Sequence, residues 1–84
     1  MNVVFVGYLK KVFGKDEIQI RDHLINISEL IRYLNTVKID NEITIKRENT
    51  LFLVNEIEIS ALDGVKTKLN EHDIVTLVPV THGG

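Results

Sequence analysis

Residues 26–35 read NISELIRYLN, and the periodicity of this stretch decides the fold. Ile27, Leu30, Ile31 and Leu34 recur at spacings of three and four, which lines them up as one apolar stripe of an α-helix. Asn26 stands where its side chain can accept from the first turn. Glu29, three residues on, is placed to reach back and complete a capping box. A helix that starts this sharply and carries one apolar stripe needs a surface to lie on, and the flanking segments read as strands.

Upstream, NVVFV at residues 2–6 alternates Val3 and Phe5 with Val4 and Val6. Both sets are apolar, so a strand buried on both faces, or nearly so, is expected. GYLKKVFGK, residues 7–15, spaces Leu9, Val12 and Phe13 as a helix does and closes on Gly14, which predicts a short extra helix over residues 8–13. EIQIRDHL, residues 17–24, alternates Ile18 and Ile20 with polar positions and predicts a second strand that hairpins back on the first. Downstream, LFLVN at residues 51–55 and IEIS at residues 57–60 read as strands joined by a tight reversal at Asn55 and Glu56. LDG at residues 62–64 and NEHD at residues 70–73 read as turns. In DIVTLVPV, residues 73–80, Ile74, Thr76 and Val78 alternate with Val75 and Leu77. Pro79 has no N–H, so pairing is expected to end there and release the chain.

The order is strand, strand, long helix and three strands, with the small extra helix after the first strand. A hairpin, a helix crossing one face and further strands describe an α+β domain: a mixed sheet packed on one main helix, with the last strand parallel to the first. This is the β-grasp, or ubiquitin-like, arrangement. The 84 residues, 44% hydrophobic and 26% charged, fit one such domain at residues 1–80, followed by a flexible diglycine tail at residues 81–84. A domain of this size buries only about 60% of its unfolded-chain surface, which leaves little room for an internal active site. Ten Lys+Arg against twelve Asp+Glu give a net charge of −2, so neither nucleic acid nor an anionic membrane is expected as a partner. Cysteine is absent, the apolar run VVFVGYL at residues 3–9 is far shorter than a membrane span, and no secretory signal precedes it. A cytoplasmic protein is the expectation.

No set of side chains outweighs its ordinary structural explanation. His23, His72 and His82 lack the spacing of metal ligands, so no metal site is expected. His72 with Asp73 imitates a base and its orienting carboxylate, but both residues are routine in a turn before a strand. Lys10, Lys11 and Lys15 lie among glycines without GxGxxG or GxxxxGK[ST] and read as the solvated side of a helix.

The terminus is different. At an average glycine content of about 7%, two terminal glycines arise by chance in roughly 0.5% of chains, so a frayed end is the weaker reading. Without side chains, Gly83 and Gly84 fit a narrow channel, and residues 81–84 span at most about 14 Å when extended. The reactive group would then be the chain's own carboxylate at Gly84, with Thr81, His82 and Gly83 in the partner's channel. Strand alternation puts Leu77 and Phe5 toward the helix and Val78 and Val6 on the opposite face. Val6, Val78 and Val80 therefore form a candidate docking face beside the tail, unless the domain's own loops cover it.

The tail LVPVTHGG, the strand LFLVNE, the turn LNEHDIV and the early segment FVGYLKKVFG together resemble the ubiquitin-like sulfur carriers over nearly the whole chain. They are most similar to the small subunit of molybdopterin synthase, the MoaD family, with its Pro-Val-x-Gly-Gly type of ending. The ending His82, Gly83, Gly84 also resembles that of the ubiquitin-related modifier, and the thiamin-pathway carriers rank third. His82 departs from the first pattern and blurs the line between the first two. The resemblance implies a carrier rather than an enzyme, with no bound cofactor of its own. A partner adenylating enzyme would use ATP and magnesium to activate Gly84, and a sulfur donor would displace AMP to leave a thiocarboxylate. The sulfur would pass on with a molybdopterin synthase large subunit or a tRNA-thiolating enzyme as partner, or the chain would be conjugated to protein. The competing reading is a β-grasp interaction domain whose diglycine is incidental.

Overall fold

In the computed structural model, which describes residues 1–80, the elements are β1 (Asn2–Phe5), α1 (Leu9–Phe13), β2 (Glu17–Gln19), α2 (Ile27–Val37), β3 (Thr50–Val54), β4 (Ile57–Glu58) and β5 (Ile74–Pro79). They form one sheet in the order β2-β1-β5-β3-β4. β5 is parallel to β1, with Val3 beside Val75 and Phe5 beside Leu77, and antiparallel to β3. β2 and β4 are antiparallel edges. The mixed sheet on one helix is thus the β-grasp expected from the order of elements. Among the described residues, no helix is long and apolar enough to cross a membrane.

α2 forms where its stripe predicts, and Ile27, Leu30 and Leu34 are fully buried against Val3, Phe5, Phe52, Val75 and Leu77, with Ile31 half-buried at the flank. Asn26 Oδ1 accepts from the Glu29 N–H at 3.0 Å. The reciprocal bond differs from the expected box, because Glu29 Oε1 accepts from Ile25, at 3.0 Å, and not from Asn26. The cause is a short bridge between Asn26 and Lys68, which draws residues 25–27 alongside residues 67–69 and leaves the Ile25 N–H for Glu29. α1 buries Leu9, Val12 and Phe13, and the Phe13 ring stacks on Phe5 with centroids 4.1 Å apart. Gly14 ends it at φ 71, the left-handed stop read from the sequence.

β1 is not buried on both faces. Val3 and Phe5 are closed off, whereas Val4 is half-buried and Val6 is exposed, because α1 and α2 cover one side of the sheet and, among the described residues, no second layer covers the other. The IEIS strand also stops early, at Glu58, whose carboxylate accepts from the Ser60 N–H and starts a 3-10 turn over Ile59–Ala61 that turns Ile59 into the core. Asn55 and Glu56 both take positive φ, 49° and 73°, as a two-residue hairpin reversal requires. The connection between α2 and β3, residues 38–49, has no regular element of its own. Asn35 pins it: its Nδ2 donates to Ile45 O and its Oδ1 accepts from the Ile45 N–H, both at 2.8 Å, so that Ile45 reaches the core.

Candidate functional site

The site begins where β5 leaves the middle of the sheet. On the β1 side, the Val6 N–H donates to Leu77 O at 3.0 Å, and β1 then turns away at Gly7, φ 63. On the β3 side, the Val80 N–H donates to Asn49 O at 3.0 Å. Pairing therefore does not fail at Pro79, as its missing donor suggested, but runs one residue further. The reason is strand geometry. Alternate residues present their N–H to opposite neighbours, so the position that lacks a donor faces β1, which has already departed, while Val80 faces β3. The acceptor is itself held in place. Asn49 Oδ1 accepts from the Lys46 N–H at 3.1 Å and from the Thr50 hydroxyl at 2.8 Å, and its Nδ2 donates to Thr44 O at 2.8 Å. Sequence reasoning did not single out Asn49, which lies in the polar stretch before β3, although an Asn beside a turn is a familiar signal.

The open face of the sheet surrounds this exit. Val6 is 39% exposed, and Val78 and Val80 are half-buried, so the domain's own loops do not close over the candidate face. Register extends the apolar surface beyond those three residues. Val78 pairs with Leu51, 38% exposed, and Thr76 pairs with both Leu53 and Val4. On this face the β4 edge is polar. Glu58 lies opposite Leu53, and its carboxyl is held below the usual glutamate value first by the Ser60 N–H and, more weakly, by Arg47 at 3.9 Å. Thr81, His82, Gly83 and Gly84 lie outside the described residues, so the structure gives the base of the expected site and the surface around it.

The His72–Asp73 pair resolves as structural. Asp73 spends its carboxylate on the Asn70 N–H at 2.8 Å and on Asn55 Nδ2 at 2.9 Å, tying a turn to the β3–β4 hairpin instead of orienting His72. His72 and His23 are exposed on a cleft of about 350 Å³ at the opposite end of the sheet from Val80. Among the described residues, no group of three or more His, Asp or Glu side chains could hold a metal ion.

A five-stranded mixed sheet with parallel first and last strands at its centre, one long helix on one face and the other face open defines a ubiquitin-like β-grasp protein. The chain belongs to the ThiS family, which matches residues 3–84. Among solved structures it is similar to Urm1 from Trypanosoma brucei, 26% identical, covering 99% of this chain and 93% of that one with a TM-score of 0.75. A chain of the BexX/CysO complex from Amycolatopsis orientalis is 17% identical, over 99% of this chain and 98% of that one, with a TM-score of 0.75. The protein assigned as molybdopterin converting factor subunit 1 in Pyrococcus furiosus is 16% identical over 95% of each chain, with a TM-score of 0.72. No curated protein matches in sequence. The fold is that of the ubiquitin-like sulfur carriers.

Proposed function

We propose that this protein is a sulfur carrier whose Gly84 carboxylate is activated by a partner and converted to a thiocarboxylate, acting as the small subunit of a molybdopterin synthase. A carboxylate oxygen attacks the α-phosphorus of ATP held with magnesium by the adenylating enzyme, and pyrophosphate leaves. A donor equivalent to sulfide then attacks the acyl carbon, the bond to the AMP oxygen breaks, and AMP departs with the electron pair. The carrier supplies no side-chain base or nucleophile for these steps; its own terminal carboxylate is the nucleophile of the first, and its surface holds that carboxylate to the partner. A cytoplasmic setting goes with this reading.

The observation that carries it is the position of Val80. It is hydrogen-bonded at the end of the central strand, and the open apolar face of Val6, Val78 and Leu51 lies beside it. Docking on that face would offset the roughly 1–2 kcal/mol of backbone entropy lost for each tail residue fixed in a channel. The test is intact-mass measurement after incubation with the adenylating enzyme, ATP, magnesium and sulfide. The expected product is heavier by the difference between one sulfur and one oxygen atom. The same gain in a chain lacking Gly83 and Gly84 would overturn the assignment, and no gain in the intact chain would favour a plain interaction domain.

A second reading is a ubiquitin-related modifier, serving tRNA thiolation or protein conjugation. The His82-Gly83-Gly84 ending and the 26% identity to a trypanosomal Urm1 favour it. The two readings share the first two steps and part at the acceptor. Copurification with a molybdopterin synthase large subunit supports the first, and with a tRNA-thiolating enzyme the second.

A further inference from the structure

The place where β1 and β5 separate carries a contact that neither the fold nor the tail chemistry accounts for. Gly7 sits at φ 63, and a Cβ built on it would lie 3.2 Å from Cγ of Pro79 and 3.8 Å from its Cδ. The first distance is tighter than most side chains adopt and the second is ordinary contact, so the proline ring sits where a side chain on residue 7 would press on it. The ring also lies on the side of β5 from which β1 has turned away after Val6, whereas the hydrogen bond of Val80 is on the β3 side. Pro79 thus restricts the backbone at the last position of the strand, and Gly7 is the wall that the ring rests on.

We propose that Gly7 and Pro79 act together as a positioning pair, which fixes the direction in which the chain leaves β5 and so aligns the Gly84 carboxylate with the nucleotide of the adenylating partner. This rests on the sulfur-carrier reading. The pair touches neither the nucleotide nor the reacting atoms; it acts through the peptide between Pro79 and Val80. Docking strength comes from the open face, so the pair governs turnover and leaves affinity alone.

The experiment is labelled pyrophosphate exchange by the adenylating enzyme, with this protein as the varied substrate, using wild type, Pro79→Ala, Gly7→Ala and the double variant. Removing the ring frees one backbone position, and kcat should fall about two- to fivefold, the usual size of a proline's restriction on backbone freedom, while KM stays within about twofold. Gly7→Ala pushes the intact ring aside and should lower kcat further. It also lowers thermal stability, because alanine is strained at positive φ. In the double variant the ring is gone, so kcat should recover to the Pro79→Ala level, while the loss of stability from the strained alanine persists. Wild-type kcat in Pro79→Ala, or single effects that simply multiply in the double variant, would overturn the proposal.

Amide exchange of Val80 in the isolated protein separates failure of this inference from failure of the sulfur-carrier reading. Its protection should drop several-fold in Pro79→Ala, with Val75 and Leu77 unchanged. If wild type undergoes no adenylation but Val80 loses protection as stated, the functional reading fails and the positioning contact stands. Unchanged protection of Val80 sinks the contact itself.

Discussion

Leu77 and Val78 are neighbours in one strand and differ little in chemistry, yet they belong to different parts of the molecule. Leu77 pairs with Phe52 and Phe5 and is fully buried under α2. Val78 pairs with Leu51 on the face that no helix covers. An apolar side chain on the first face removes its surface from water on folding, and one on the second does so only when something else arrives. The closed face therefore holds the fold together, and the open face is free to serve association.

The largest test of this division is Leu77→Ala. It should cost about 2–5 kcal/mol, because the lost transfer energy and the cavity add. Denaturant unfolding would measure it, and a loss below about 1 kcal/mol would mean that the closed face is not the seat of stability. Next comes Val78→Asp. It should weaken adenylating-partner binding by about 1–3 kcal/mol while moving the melting temperature little, and a large loss of stability in the free protein would place Val78 in the core instead. Leu51→Ala, on the strand paired with Val78, should reduce stability by less than about 1 kcal/mol, since its side chain is already partly in water. The smallest effect concerns Glu58. Its pKa is lowered on folding, so its contribution is present above the ordinary glutamate value and is lost as pH falls through the lowered folded value. Glu58→Gln should therefore remove a slight acid dependence of stability in that window, leaving stability at neutral pH the less favourable of the two proteins. An identical acid profile in both would show that the Ser60 and Arg47 contacts do not favour the charged form.

The faces were only half legible in the sequence. The α2 stripe, the Asn26 cap, the Gly14 stop and the Asn55–Glu56 reversal are local, and local spacing or conformational demand announces each of them. VVFV is different: apolar residues on both faces of a strand mean burial on both sides or an apolar face left open, and periodicity cannot separate the two. The pairing of Val80 beyond Pro79 depends on which neighbour each N–H faces, which is known only once β1 is seen to depart. Asn35 reaching Ile45, and Glu58 ending β4 early, are contacts between side chain and backbone that no hydrophobic pattern records. The expectation for Gly84 rests on the sequence alone, because residues 81–84 lie outside the described ones.

The parallel pairing of β1 with β5 also governs how the molecule comes into being. β5 is the last strand in the chain and occupies the centre of the sheet. Until it is synthesised, the β1–β2 and β3–β4 pairs have no strand between them, and almost the whole chain must be spanned to join β1 to β5. Such long-range closure is slow compared with the formation of a helix or a hairpin. A chain cut short before Ile74 lacks the strand that both halves pair with and stays open to proteolysis. The folded population is thereby restricted to molecules whose synthesis has reached the strand next to the tail.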